Sequence, residues 1–270
     1  MRTSAMINGV KIPMTIAGDG PGLLLVHGTG PGADVPFGHL IEPLAQNFRV
    51  VMPDLSGSPT VLDDGAGLTV ETLANQVLGV ADAAGIEEHV LLGFSLGGPV
   101  AVTAAALAPS RVRGLVVAAG WLRTSDDPYL KLLYDIWQRS ASDPDLFGRF
   151  STLTGFSPSH IASLPTNQLH ELFSNLYPNP YVQRQIELGA RLDISRYAPQ
   201  VAAPTMLIAG AHDATIPPHA VARFAAAIPD SQLVTLDCGH VMTFEKPDEF
   251  VELITEFAPA SRGGQPQAAH

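Results

Sequence analysis

Three residues stand where acyl chemistry would need them. Ser95 lies in Gly93-Phe94-Ser95-Leu96-Gly97, a G-x-S-x-G pattern that follows the apolar run 90–93 and opens the helix-like stretch 97–108. A serine on a sharp strand-to-helix turn stands clear of the sheet, and flanking glycines allow the close backbone approach that such a turn requires. The helix start behind it aims N–H groups and partial positive charge at developing negative charge. A plain helix cap is the alternative reading of Ser95, and the strand–turn–helix context favours the nucleophile.

A serine hydroxyl is a weak nucleophile until a base takes its proton. His240, in Cys238-Gly239-His240, follows the last apolar run and precedes the final helical pattern, so a loop at the C-terminal edge of a sheet is expected there. The imidazole in turn needs a carboxylate to set its tautomer. Asp213, in Gly210-Ala211-His212-Asp213, again ends a strand-like run, and Asp126 or Asp127 after the run 115–119 is the second candidate. A solvated loop histidine and an Asx turn are the plain readings of His240 and Asp213. Stabilising a tetrahedral oxyanion calls for two N–H donors. The turn His27-Gly28-Thr29-Gly30, after the run 23–27, supplies Thr29, and the helix start supplies Leu96.

The elements that must position these residues follow from the apolar pattern. Residues 23–27, 49–52, 90–93, 115–119, 206–209 and 233–236 are continuous apolar runs, the pattern of strands covered on both faces, and they alternate with helix-period segments. Val70, Leu73, Ala74, Val77, Leu78 and Ala81 form one helical stripe opened by Thr69 and stopped by Gly85, and Phe250, Leu253, Ile254 and Phe257 form another. Asn8-Gly9 between apolar residues predicts a hairpin over 6–16. The alternation predicts an α/β fold with a mostly parallel sheet.

It breaks between about 123 and 200, where helical segments such as 129–140 and 181–192 are punctuated by proline. This segment reads as a helical insertion between two strands. All five tyrosines, both tryptophans and four of the eleven phenylalanines fall between Trp121 and Gln200, either as the insertion's own core or as the lining of an apolar pocket beneath a lid. The expected division is a core of residues 1–122 and 201–258, a helical cap of 123–200, and a flexible tail of 259–270.

Composition narrows the partners. The net charge is −11, with 15 Lys+Arg against 26 Asp+Glu. That argues against nucleic-acid binding, which needs a basic face. Cys238 is the only cysteine, which excludes an intramolecular disulfide and thiolate metal clusters. No apolar run approaches the ~18 residues of a membrane span, and the first thirteen residues carry no apolar signal-peptide region. A soluble, cytoplasmic protein with no cofactor and no metal is expected. Only 15% of residues are charged, against about 25% usually, while 46% are hydrophobic, which allows a large buried core; with the aromatics concentrated in the insertion, it also points to an apolar acyl or leaving group. Oligomeric state is not legible.

Taken together, HGTG, the Asp54-Leu55-Ser56-Gly57-Ser58 turn, GFSLGG, GAHDATIPP and the final GH resemble the α/β-hydrolase fold family in order and spacing, from about residue 7 to 257. The resemblance implies Ser95 as nucleophile, His240 as base, Asp213 as its orienter, Thr29 and Leu96 as oxyanion donors, and the insertion as the family's cap domain. Serine at the elbow departs from the haloalkane dehalogenase and epoxide hydrolase branches, which carry Asp there. Residues 27–34, HGTGPGAD, also resemble the carbon–carbon bond hydrolases of meta-ring-fission products. Those carry Trp after the catalytic histidine, where this chain has Val241. The expected activity is cleavage of a small or medium apolar ester, lactone or thioester. Carbon–carbon hydrolysis, acyl transfer or cyclisation, and ligand binding without turnover are the alternatives.

Overall fold

The computed structural model describes residues 1–174, 176 and 179–260. Its strands are β1 (Arg2–Ile7), β2 (Val10–Ala17), β3 (Gly22–Val26), β4 (Arg49–Pro53), β5 (His89–Phe94), β6 (Val112–Ala118), β7 (Thr205–Gly210) and β8 (Ser231–Leu236). They form one eight-stranded sheet in the order β1-β2-β4-β3-β5-β6-β7-β8, in which β2 alone runs antiparallel to its neighbours. The expected mostly parallel α/β architecture is what the chain adopts. The hairpin is present too, turning through Asn8 (φ 50°) and Gly9 (φ 83°), the left-handed pair of a tight hairpin.

Helices α1 (Asp34–Phe37) and α2 (Ile41–Ala45) lie between β3 and β4, α3 (Val70–Ala83) between β4 and β5, and α4 (Gly97–Leu107) between β5 and β6. Between β6 and β7 come α5 (Pro128–Ser140), α6 (Pro144–Gly155), α7 (Pro158–Ser163), α8 (Thr166–Ser174) and α9 (Pro180–Ala190). Helix α10 (Pro218–Ala225) follows β7, and α11 (Met242–Glu245) and α12 (Pro247–Ala260) follow β8. The prolines of the inserted segment start helices. Asp127, Asp143, Ser157 and Asn179 cap α5, α6, α7 and α9, each accepting from a first-turn N–H, and each is followed by proline. Helix α12 runs to Ala260, and the rest of the expected tail of 259–270, residues 261–270, lies outside the described residues.

Continuous apolar runs arise because successive strand residues point to opposite faces, and both faces are covered. On one face Leu24, Val26, Leu91, Leu115 and Val117 meet α3, α4 and α10. On the other Leu23, Leu25, Leu92, Val116 and Ile208 meet α1, α2 and α12. Trp121, Tyr134 and Trp137 join the first of these cores, with ring centroids 5.8 and 5.4 Å apart along the series. These aromatics therefore pack the insertion onto the sheet. Strand β8 corrects one expectation. The run 233–236 is not covered on both faces: Leu233 is 43% exposed, because β8 is an edge strand with β7 as its sole neighbour. Among the described residues, no helix is long and apolar enough to cross a membrane.

One buried group at the opposite end of β5 from Ser95 makes the fold acid-sensitive. Among the described residues neither ring nitrogen of His89 has a hydrogen-bond partner, and the residue is 2% exposed. Burial, with help from the nearby Arg111 charge, lowers its pKa to about 4. The unfolded chain binds the proton near pH 6.5, whereas the folded one resists it. Stability is therefore fully present above about pH 6.5 and is lost as pH falls towards 4, by on the order of 3 kcal/mol from this residue. Urea unfolding of His89→Leu across this range is expected to show a shallower decline than the wild type; parallel curves would refute the assignment.

Candidate active site

The strand order reverses between β3 and β5, and ligands of open α/β sheets collect beyond the carboxyl ends of strands at such a point. Both ends carry residues singled out above. Strand β5 stops at Phe94, and Ser95 turns the chain sharply at φ 55°, in the left-handed region that a non-glycine residue enters at a cost of about 1–3 kcal/mol. The turn is held by Ser95 N–H donating to Ala118 O at 2.8 Å and Gly98 N–H donating to Ser95 O at 2.9 Å. Its glycines are obligatory on space: a Cβ on Gly93 would lie 2.2 Å from Gly97 O, and one on Gly97 2.0 Å from Val26 O.

His240 arrives from the loop after β8. Its Nε2 is 2.9 Å from Ser95 Oγ, and its Nδ1 is 2.8 Å from Asp213 Oδ2. Asp213 sits just past the end of β7, its side chain fully buried, with Oδ1 accepting from the N–H groups of Thr215 (2.8 Å) and Ile216 (2.7 Å). An ionised carboxylate only accepts, so Nδ1 must carry the proton and Nε2 must present its lone pair to the Ser95 hydroxyl. Phe94 lies against the imidazole at 5.1 Å between centroids. Ser95 and His240 are each 7% exposed, so the reacting side chains are largely withdrawn from solvent.

The turn His27–Gly30 lies beside Ser95. A Cβ on Gly28 would come within 2.7 Å of Ser95 Cβ, so this approach demands glycine. His27 fixes the turn from below. Its Nδ1–H donates to Gly28 O at 2.7 Å, while Nε2 faces Leu55 N–H at 3.0 Å and Ser58 Oγ at 3.2 Å. Burial pushes its pKa below the ordinary histidine value, which keeps the ring neutral and Nε2 an acceptor. Among the described residues, the N–H groups of Thr29 and Leu96 donate to no protein acceptor. Two free donors therefore lie on the turns flanking the serine.

Asp126 and Asp127, the second candidates for the histidine's carboxylate, stand elsewhere. Asp127 caps α5, accepting from Tyr129 N–H at 2.9 Å, and pairs with His219 at 2.9 Å and with Arg223. Burial would raise its pKa, but these hydrogen bonds and the Arg223 charge together hold it below the usual carboxylate range. Asp126 is exposed and pairs with Arg123. The structure thus spends Asp127 on joining α5 to α10, and His240 is served by Asp213.

Two contributors were not anticipated. Glu245, on α11, accepts from Gly239 N–H at 3.1 Å and from Ser157 N–H and Oγ–H at 2.9 and 2.5 Å, tying the His240 loop to the start of α7. Gln185, on α9, accepts from Gly30 N–H at 2.6 Å. For Gln185 a signal existed: it is the polar member of a stripe with Val182, Ile186 and Gly189. Glu245 carries no local signal for its Ser157 contacts, because Ser157 is 88 residues away. An open cleft of about 500 Å³ between α2 and α12, lined by residues including His39, Pro43, Val251 and Thr255, contains none of the residues above.

A family model described as the alpha/beta hydrolase fold matches residues 21–247. Pyrrolizixenacetamide deacetylase of Xenorhabdus hominickii is 33% identical over 255 residues, covering 93% of this chain and 96% of its own. A pimeloyl-[acyl-carrier protein] methyl ester esterase of Xanthomonas oryzae is 30% identical over 251 residues, covering 90% and 96%. Among solved structures, MGS-M2, an alpha/beta hydrolase enzyme from a Medee basin deep-sea metagenome library, superposes with a TM-score of 0.85 at 20% identity, covering 94% and 96%.

Proposed function

The chain belongs to the α/β-hydrolase fold family, and from that premise we propose that it is a serine hydrolase acting through an acyl-enzyme. The observation that carries the reading is the relay Ser95 Oγ–His240 Nε2 at 2.9 Å and His240 Nδ1–Asp213 Oδ2 at 2.8 Å, with the serine on a strained turn. In this reading Ser95 attacks a carbonyl carbon while His240 takes its proton, and buried Asp213 stabilises the imidazolium. The tetrahedral oxyanion is held by the N–H groups of Thr29 and Leu96, each such donor being worth roughly 3 kcal/mol. His240 then gives its proton to the leaving group, the acyl-enzyme remains on Ser95, and a water deprotonated by His240 releases the acid.

The inserted helices act as a cap: with the reacting side chains this withdrawn from solvent, substrate enters when the helices move. The substrate class we favour is a small or medium apolar ester, lactone or thioester. The names of the two relatives, a deacetylase and a methyl ester esterase, agree with attack at an acyl carbon, and the first adds N-acetyl substrates to those worth assaying. Wild type and Ser95→Ala should be assayed on uncharged esters, lactones, thioesters, acetamides and ring-fission diketones, with and without a competing alcohol. The reading expects hydrolysis of uncharged acyl substrates by the wild type alone. Turnover retained in Ser95→Ala, or cleavage of the diketones only, would overturn it. An alcohol adduct as main product would make the protein an acyltransferase.

A further inference from the structure

Gln185 holds a position that helix periodicity assigns to an apolar residue. It shares the buried stripe of α9 with Val182, Ile186 and Gly189, and is 2% exposed. A carboxamide withdrawn from water is costly unless its polar atoms are partnered. The partner is the N–H of Gly30, 2.6 Å from Oε1 and 155 residues away in the chain. A backbone N–H can face only the carbonyl oxygen of the amide, so the orientation of the side chain follows from the contact itself. Space for the side chain is left by Gly57 (φ 94°), where an added Cβ would lie 2.8 Å from Gln185 Cγ.

The place of this bond in the turn gives it a consequence. The N–H of Thr29 belongs to the Gly28–Thr29 peptide, whose carbonyl is held by His27 Nδ1–H at 2.7 Å. The next peptide, Thr29–Gly30, is held through its N–H by Gln185. The backbone on both sides of Thr29 Cα is therefore tied, once by the sheet domain and once by the inserted helices. Among the described residues Gly30 makes no other hydrogen bond; its φ is 155° and a Cβ placed there would meet no atom within 4 Å. We propose that Gln185 is a positioning residue that fixes the Thr29–Gly30 peptide when α9 is docked, so that the aim of the Thr29 oxyanion donor depends on the inserted helices. This rests on the serine hydrolase reading above, in which Thr29 N–H contacts the oxyanion.

A donor aimed at the transition state governs kcat, whereas loss of simple cap packing shows in KM and in thermal stability. Gln185→Met keeps the unbranched stem and offers only a weak thioether acceptor. It is expected to lower kcat 10- to 100-fold, less than the roughly 10²–10³-fold loss of a whole donor, with KM within threefold and the melting temperature nearly unchanged. Amide hydrogen exchange at Gly30 should accelerate at least tenfold. Gln185→Glu, whose carboxylate accepts the same bond, should restore the Gly30 protection and raise kcat above that of the Met variant. An unchanged kcat in Gln185→Met, a loss confined to KM, or unaltered Gly30 exchange would each overturn the proposal. If the wild type turns over no acyl substrate, the hydrolase reading fails, and the Gly30 exchange still decides whether Gln185 fixes the turn.

Discussion

Replacing Ser95 by alanine is expected to lower kcat by on the order of 10⁴–10⁶-fold while leaving the fold intact. Alanine keeps the Cβ, so the turn at φ 55° is no more strained than with serine, and the close approach of Gly28 to that Cβ is unchanged. What disappears is the single atom that faces His240 Nε2 at 2.9 Å. The N–H groups of Thr29 and Leu96 remain, so a residual rate above that in water is expected. Steady-state kinetics on the best substrate of the panel, beside a circular dichroism melt, makes the comparison. A variant within tenfold of wild type would mean that Ser95 is a structural residue of the turn.

The second large effect is expected from Asp213→Asn, at about 10⁴-fold in kcat. The argument is one of tautomers. Oδ1 of Asp213 accepts from two backbone N–H groups, those of Thr215 and Ile216, so an asparagine must place its oxygen there. Its NH₂ then faces His240 Nδ1 and donates to it, which moves the ring proton to Nε2. That nitrogen becomes a donor towards Ser95 and can no longer take the hydroxyl proton. The Asx turn survives, so stability is expected to change little. Kinetics of Asp213→Asn that stay within tenfold of wild type would show that the carboxylate does not set the imidazole's role.

Much of this was readable in the chain because the relevant physics is local. The Gly93–Gly97 turn announces itself through glycines that no other residue could replace: two backbones pass within van der Waals contact there. The order of apolar runs and helical stripes specified an α/β fold with a mostly parallel sheet, since each strand's two covered faces leave a continuous apolar record. The same record misled at residues 233–236. Apolar content alone does not distinguish a central strand from an edge strand, and β8 has only one neighbour. Asp213 is the first candidate and Asp127 the second on sequence alone, but what holds Asp127 away from His240 is not local. Both follow a strand, and Arg223 and His219 on α10 are what engage Asp127 elsewhere. Gln185 and Glu245 lay deeper still. Gly30 is 155 residues from Gln185 and Ser157 is 88 from Glu245, so the docking of the inserted helices brings these contacts into play.

The account stands or falls on whether Ser95 is an activated nucleophile. Incubating the folded protein with a fluorophosphonate, then measuring intact mass and mapping the modified peptide, tests this without knowledge of the substrate. The expected result is a single adduct on Ser95 in the wild type, none in Ser95→Ala, and slowed labelling in Asp213→Asn. A folded wild-type protein that takes up no probe, or takes it up at another residue, would contradict the account.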